Sequence, residues 1–138
     1  KTWWDMTSEL SNTARLITGL VGSVTGLTPD DLLMETRGVT SVARARQVAM
    51  YLAHTCCSLS LAQVGEIFGR DKSTVAHAVH QIEDLRDELE FDDWLSDLEG
   101  ALRAVTGLSP LTGRVLRGMW QSSAIQPARG RGSGYVRA

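Results

Sequence analysis

The stretch from Ser60 to Val75, SLAQVGEIFGRDKSTV, leaves this chain few ways to fold. Ser60 with Gln63 three residues on forms a capping box, which satisfies orphan amides where a helix begins. Leu61, Val64, Ile67 and Phe68 then recur at helical spacing, so that helix buries one stripe. Gly69 suits the left-handed position just past a helix end, where a side chain would clash. Asp71 can cap a second helix, in which Val75, Val79, Ile82 and Leu85 keep the helical period. Two helices joined by a short glycine turn make a helix-turn-helix.

Other helices flank this unit. A helix from about Thr7 to Thr25 would place Leu10, Ala14, Ile17, Val21 and Val24 on one face. Trp3 and Trp4 precede it, and their large apolar surface suits core packing better than docking onto a second copy. Gly26 ends that helix. Thr28-Pro29-Asp30-Asp31 starts a short one: threonine as cap, proline in the first turn, acids at the positive end of the dipole. A third runs from about Ser41 to Thr55, with Val42, Ala45, Val48, Ala49 and Leu52 on its buried side. Beyond Leu89, residues Phe91, Trp94, Leu95, Leu98, Ala101, Leu102 and Val105 predict an amphipathic helix ending at Gly107. Leu111, Val115, Leu116, Met119 and Trp120 predict a last short helix, and from Gln121 the Gly/Pro/Ser/Arg composition predicts a flexible tail.

No alternating strand pattern competes. The expected class is all-α, a multi-helix domain around the helix-turn-helix. The 138 residues suffice for one modest core. The expected division is a helical domain over residues 1–107 and a short helix with an arginine-rich tail over 108–138.

Several function classes drop out. No apolar run approaches the roughly 18 residues of a membrane span, and no secretory signal is visible. Cys56 and Cys57 are adjacent, so neither a disulfide framework nor a zinc quartet is available, and buried free thiols in a reducing cytoplasm are expected. His77 and His80 share a helix face beside Glu83, yet a catalytic zinc site needs three protein ligands in a closed geometry. We expect no metal, no cofactor and no catalytic residue. His77, one turn into the second helix of the motif, is instead placed near a nucleic acid.

Charge is segregated. The net value of -2 hides five Lys or Arg against two acids from Arg37 to Ile82. Nine acids face Arg86 alone from Glu83 to Glu99, and six arginines with no acid follow from Gly100 on. Basic, acidic and basic blocks in succession imply at least two surfaces for two partners. Arg37, Arg44 and Arg46, just ahead of the helix-turn-helix, are candidate phosphate contacts.

SVARARQVAMYL over Ser41–Leu52, Ser60-Leu61, and FGRDKSTVAHA over Phe68–Ala78 together resemble the C-terminal DNA-binding domain of the bacterial replication initiator DnaA. The likeness runs from about Asn12 to Leu89. It implies base contacts from Asp71, Lys72, Ser73 and Thr74, and backbone contacts from Arg44, Arg46, Arg70 and the Ser60-Leu61 helix start. The chemistry is coherent: aspartate accepts from cytosine, lysine donates to guanine, and a threonine methyl meets thymine. Helix N-terminal amides suit phosphate oxygens.

Departures from the family pattern matter too. Lys72 stands where the family usually has histidine, and a second glycine often precedes the arginine of its turn. His54 stands where lysine can occur. The basic loop is thinned to Thr36-Arg37-Gly38-Val39-Thr40, with Gly38 at the place of the minor-groove arginine. These imply a weaker or altered sequence preference than that of a faithful reader of the DnaA box. No G-x-x-x-x-G-K-[ST] motif of an ATPase occurs in these residues.

The expected function is a double-stranded-DNA-binding transcription regulator at the nucleoid, in the cytoplasm, similar to activators of phage-like gene-transfer-agent clusters. RNA polymerase or another transcription factor is the expected protein partner, and a homodimer is the expected assembly if the sites are palindromic. The alternatives are a replication-linked factor competing for DnaA-type sites and a protein-interaction module that no longer binds DNA.

Overall fold

Six helices and no strand are found among the described residues: α1 (Trp3–Thr25), α2 (Pro29–Leu33), α3 (Thr40–Thr55), α4 (Leu61–Phe68), α5 (Lys72–Leu85) and α6 (Leu89–Trp120). A computed structural model describes residues 3–34 and 40–120, with side chains described in those spans except at 3–9, 109 and 120. The expected placement of Trp3 and Trp4 in the core therefore lies outside the described side chains. Helix α1 begins at Trp3, four residues before the expected Thr7.

Helix α3 is the hub. Its apolar pattern predicts one buried side, but α1, α2, α4 and α5 all pack against it. Ala45, Val48, Ala49, Met50, Tyr51, Leu52 and Ala53 are all buried as a result. Around it close Ile17 and Val21 from α1, Leu32 from α2, Val64 and Phe68 from α4, and Val75, Ala78 and Ile82 from α5. Each such fully buried large side chain contributes about 1.5–3 kcal/mol. Val24, expected on the buried face of α1, is exposed at that helix's last turn. Cys56 and Cys57 are half-buried free thiols packed against the core, and burial pushes both thiol pKa values up.

The caps follow the sequence. Thr28 accepts from the Asp31 amide at 3.1 Å while the Asp31 carboxylate accepts from the Thr28 amide at 2.9 Å, which holds the Asp31 carboxyl below the usual range. Ser60 and Gln63 form the same reciprocal pair at 3.1 and 2.9 Å. Gly69 ends α4 in the left-handed region at φ 64°. Gly65 carries a constraint invisible to periodicity. A Cβ there would stand 2.4 Å from the Arg70 carbonyl oxygen, because the turn folds back onto α4 at this point. Helix α3 stops without a glycine, with Ser58 at φ 58° and His54 Nδ1 donating to the Leu59 carbonyl at 2.8 Å.

Helix α6 corrects the expected break at Gly107. It runs without interruption from Leu89 to Trp120, through Gly107 and Pro110. Neither Gly107 nor Gly113 takes the positive φ that would stop a helix. The chain divides into two compact units, up to Arg103 and from Ala104. In the first, Leu95, Leu98 and Leu102 bury the inner side of α6 in the common core. In the second, Val105, Leu108, Leu111, Val115, Leu116 and Met119 are exposed.

Candidate nucleic-acid interface

Helix α5 is built with one side in the core and one end in the open. Val75, Ala78 and Ile82 are buried, while Asp71, Lys72, Ser73, Thr74 and His77 are all exposed. Asp71 works first as the cap. Its Oδ1 accepts from the Thr74 amide at 2.9 Å and from the Ser73 hydroxyl at 3.0 Å. These bonds favour the carboxylate and hold its pKa below the usual range. Both use the same oxygen, so Oδ2 remains to accept from a ligand. The Lys72 side chain is exposed and has no hydrogen-bond or ion-pair partner among the described residues.

The preceding helix also begins at an exposed cap. Ser60 is exposed, and its capping box takes up the Gln63 amide, leaving the Leu61 and Ala62 amides of the first turn without an intrahelical partner. The Leu61 side chain packs on the core, so what it offers a phosphate is its backbone N–H.

The arginines part company. Arg44 is half-buried, and its Nη1 donates to Gln47 Oε1 at 2.9 Å and to Gln81 Oε1 on α5 at 3.3 Å. Among the described residues its charge meets two neutral amides and no carboxylate. Arg46, expected as a backbone contact, is only 5% exposed. It donates from Nε to the Leu32 carbonyl at 2.8 Å and from Nη2 to the Asp31 carbonyl at 3.2 Å, so it caps the end of α2 from inside the protein. Burial, aided by the nearby Arg70 charge, lowers its pKa from the ordinary guanidinium value. Arg46 is thus a structural cation.

Arg70 is similarly engaged. It donates to the Phe68 and Gly69 carbonyls at 3.1 and 3.4 Å and to the Met34 carbonyl at 2.8 Å, bracing the turn against the segment after α2. Arg37 lies outside the described residues.

Sequence reasoning missed Gln47 and Gln81. Gln81 sits one turn after His77, and its Nε2 lies 3.3 Å from His77 Nε2. Arginine can only donate, so Gln81 turns its oxygen to Arg44 and its NH2 to the imidazole. In this arrangement the Gln81 amide N–H donates to His77 Nε2. Nothing in the spacing of α3 alone points to a partner 37 residues further on.

No group of three or more His, Cys, Asp or Glu that could hold a metal occurs among the described residues. No helix of the described residues is long and apolar enough to cross a membrane.

An exposed helix start after a glycine turn, braced by Arg70, lies in a segment that matches a known family. The bacterial DnaA protein helix-turn-helix family covers residues 14–82, half of this chain. The chain belongs to that family. The match ends at Ile82 in α5, so α6 stands outside the DnaA-like segment.

Three relatives show how far the likeness extends. The chromosomal replication initiator protein DnaA of Caulobacter vibrioides (strain NA1000 / CB15N) is 48% identical over 84 residues, 59% of this chain and 16% of that protein. The protein of the same name from Rhodopseudomonas palustris (strain HaA2) is 46% identical over 72 residues, 51% of this chain and 15% of the relative. That of Zymomonas mobilis subsp. mobilis (strain ATCC 31821 / ZM4 / CP4) is 46% identical over 67 residues, 48% of this chain and 13% of its own. The chain therefore spans about a sixth or less of these DnaA proteins.

Proposed function

We propose that this DnaA-like domain binds double-stranded DNA with the start of α5 in the major groove and regulates transcription, as an activator of a phage-like or gene-transfer-agent gene cluster. The observation that carries the reading is the joint exposure of Asp71, Lys72, Ser73 and Thr74 at one end of a helix whose other side is anchored by Val75, Ala78 and Ile82. A major groove admits an α-helix, and these side chains bring a carboxylate oxygen, an ammonium and a methyl suited to cytosine, guanine and thymine. Arg44 and the first-turn amides of α4 supply phosphate contacts, which set register and strength.

The exposed acids of α6, Glu90, Asp93 and Asp97, would be repelled by phosphates, so they suit a protein partner. RNA polymerase or a second transcription factor is the proposed partner, with the protein acting at the nucleoid in the cytoplasm. A second reading is a replication-linked factor that competes for DnaA-type sites. It is favoured by the 48% identity with a segment of an initiator DnaA.

The test is a fluorescence-polarisation titration of the chain at two salt concentrations. Three short duplexes are used: a DnaA box, a promoter fragment upstream of neighbouring genes, and a scrambled control. Tight, salt-sensitive binding to the promoter alone supports the regulator, because counterion release weakens a true DNA contact as salt rises. Preference for the DnaA box selects the replication-linked reading. No binding at low salt overturns both and leaves a protein-interaction module.

A further inference from the structure

Arg44 and His77 stand on different helices, and one side chain joins them. Gln81 Oε1 accepts from Arg44 Nη1 at 3.3 Å, while its Nε2 faces His77 Nε2 at 3.3 Å. Gln47 holds the same Arg44 nitrogen from its own helix at 2.9 Å. The result is an arginine fixed in place by neutral acceptors. A long cationic side chain ordinarily loses conformational freedom when it meets a ligand, and one already held loses less. A carboxylate at either position would hold it as well but would cancel its charge. An amide holds the guanidinium and leaves the charge for an anion.

We infer that Arg44 forms a phosphate subsite across α3 and α5 and that Gln81 is its positioning residue. This rests on the DNA-binding reading above and deepens it. The ligand is a backbone phosphate on the flank of the groove that α5 enters, about two turns along the helix from Thr74. Gln81 orients Arg44 toward it from the recognition helix itself, so the phosphate contact and the base contacts move as one body. His77, expected to read a base, instead completes the amide's hydrogen bonding and fixes which way Gln81 faces. The subsite is independent of sequence, because a phosphate is present at every step of the duplex.

The experiment compares the wild type with Gln81→Glu, Gln81→Met, Arg44→Ala and the double variant Arg44→Ala/Gln81→Glu. His80→Glu serves as a charge control on the same helix. Each is titrated against a specific and a scrambled duplex over a range of salt, with thermal melts alongside. Gln81→Glu pairs with Arg44, so binding weakens about tenfold on both duplexes and the salt slope falls by about one unit. The loss exceeds that of His80→Glu, and little further loss follows when Arg44→Ala is added. Gln81→Met removes the tether without adding charge. It weakens binding several-fold while the salt slope and the melting temperature stay near wild type.

Three results overturn the inference. They are equal losses for Gln81→Glu and His80→Glu, full additivity of the Gln81 and Arg44 changes, or wild-type affinity in Gln81→Met. A wild-type chain that binds no duplex at low salt overturns the DNA-binding reading itself, and is thereby distinguished from these three.

Discussion

Two arginines that meet α5, Arg44 through Gln81 and Arg86 at its C-terminal cap, face opposite electrostatic surroundings. At the junction of α5 and α6, Arg86 donates to both Glu99 oxygens at 3.0 and 3.2 Å, to Ser96 Oγ at 2.9 Å and to Asp92. It also donates to the Tyr51 hydroxyl at 3.1 Å, and its guanidinium lies 5.9 Å from the Tyr51 ring centroid. Glu99 first, then Asp92 and Tyr51, push its pKa above the ordinary guanidinium value. Burial lifts the Tyr51 phenol, whose hydroxyl donates in turn to Glu83. Across α3 and α5, Arg44 meets only glutamine oxygens among the described residues. One cation is cancelled and joins helices. The other is held and keeps its charge. An arginine's role is therefore read from its acceptors, not from its exposure or its neighbours in sequence.

The largest effect should come from the cancelled cation. Arg86→Met leaves Glu99, whose side chain is only 12% exposed, without its counter-charge beside Asp92. Removing one member of a buried pair costs about 3–5 kcal/mol, and the 19% exposure of the Arg86 side chain brings this to about 2–3 kcal/mol. Urea unfolding should report that loss while the affinity of the folded protein for DNA stays put. A drop in affinity without a drop in stability would break the comparison.

Arg46→Met comes next. It deprives the Leu32 and Asp31 carbonyls of their donor, at about 2 kcal/mol. Because Arg46 is internal, the slope of log affinity against log salt should not change; a flatter slope would return it to the phosphate set.

Lys72→Ala should reduce discrimination between specific and scrambled duplexes by about 1–2 kcal/mol with little change in unfolding. Equal losses on both duplexes would show that Lys72 touches only the backbone. Asp71→Asn sharpens the cap. The folded-state pKa of Asp71 is lowered by its bonds to Thr74 and Ser73. Its stabilising effect is therefore full above the unfolded aspartate value and is lost as pH falls through the folded one. Acid unfolding of Asp71→Asn should lack that part of the pH dependence, the smallest of these effects, whereas an unchanged acid limb would show that the cap bond contributes nothing.

The capping box at Ser60 and Gln63, the left-handed Gly69 and the Asp71 cap are all readable, because each is set by atoms within four residues of one another. Gly65 was not, since its constraint is the return of the Arg70 carbonyl onto α4. Neither was the continuity of α6. Glycine at Gly107 permits a helix stop without compelling one, and the chain kept a helical φ there. The basic cluster ahead of the motif is legible in the sequence as charge but not as position. Arg44 and Arg46 are two residues apart, which on a helix turns them to different sides. One faces Gln81 and the other the carbonyls of α2.

The sequence by itself determined the all-α class, the helix-turn-helix and its caps, and membership of the DnaA-like family, because local hydrogen bonding and helical periodicity act over a few residues. Only the tertiary structure decided which arginines keep a usable charge. That depends on acceptors brought from 13 to 37 residues away, and a cation's effect is set by what the fold places around it.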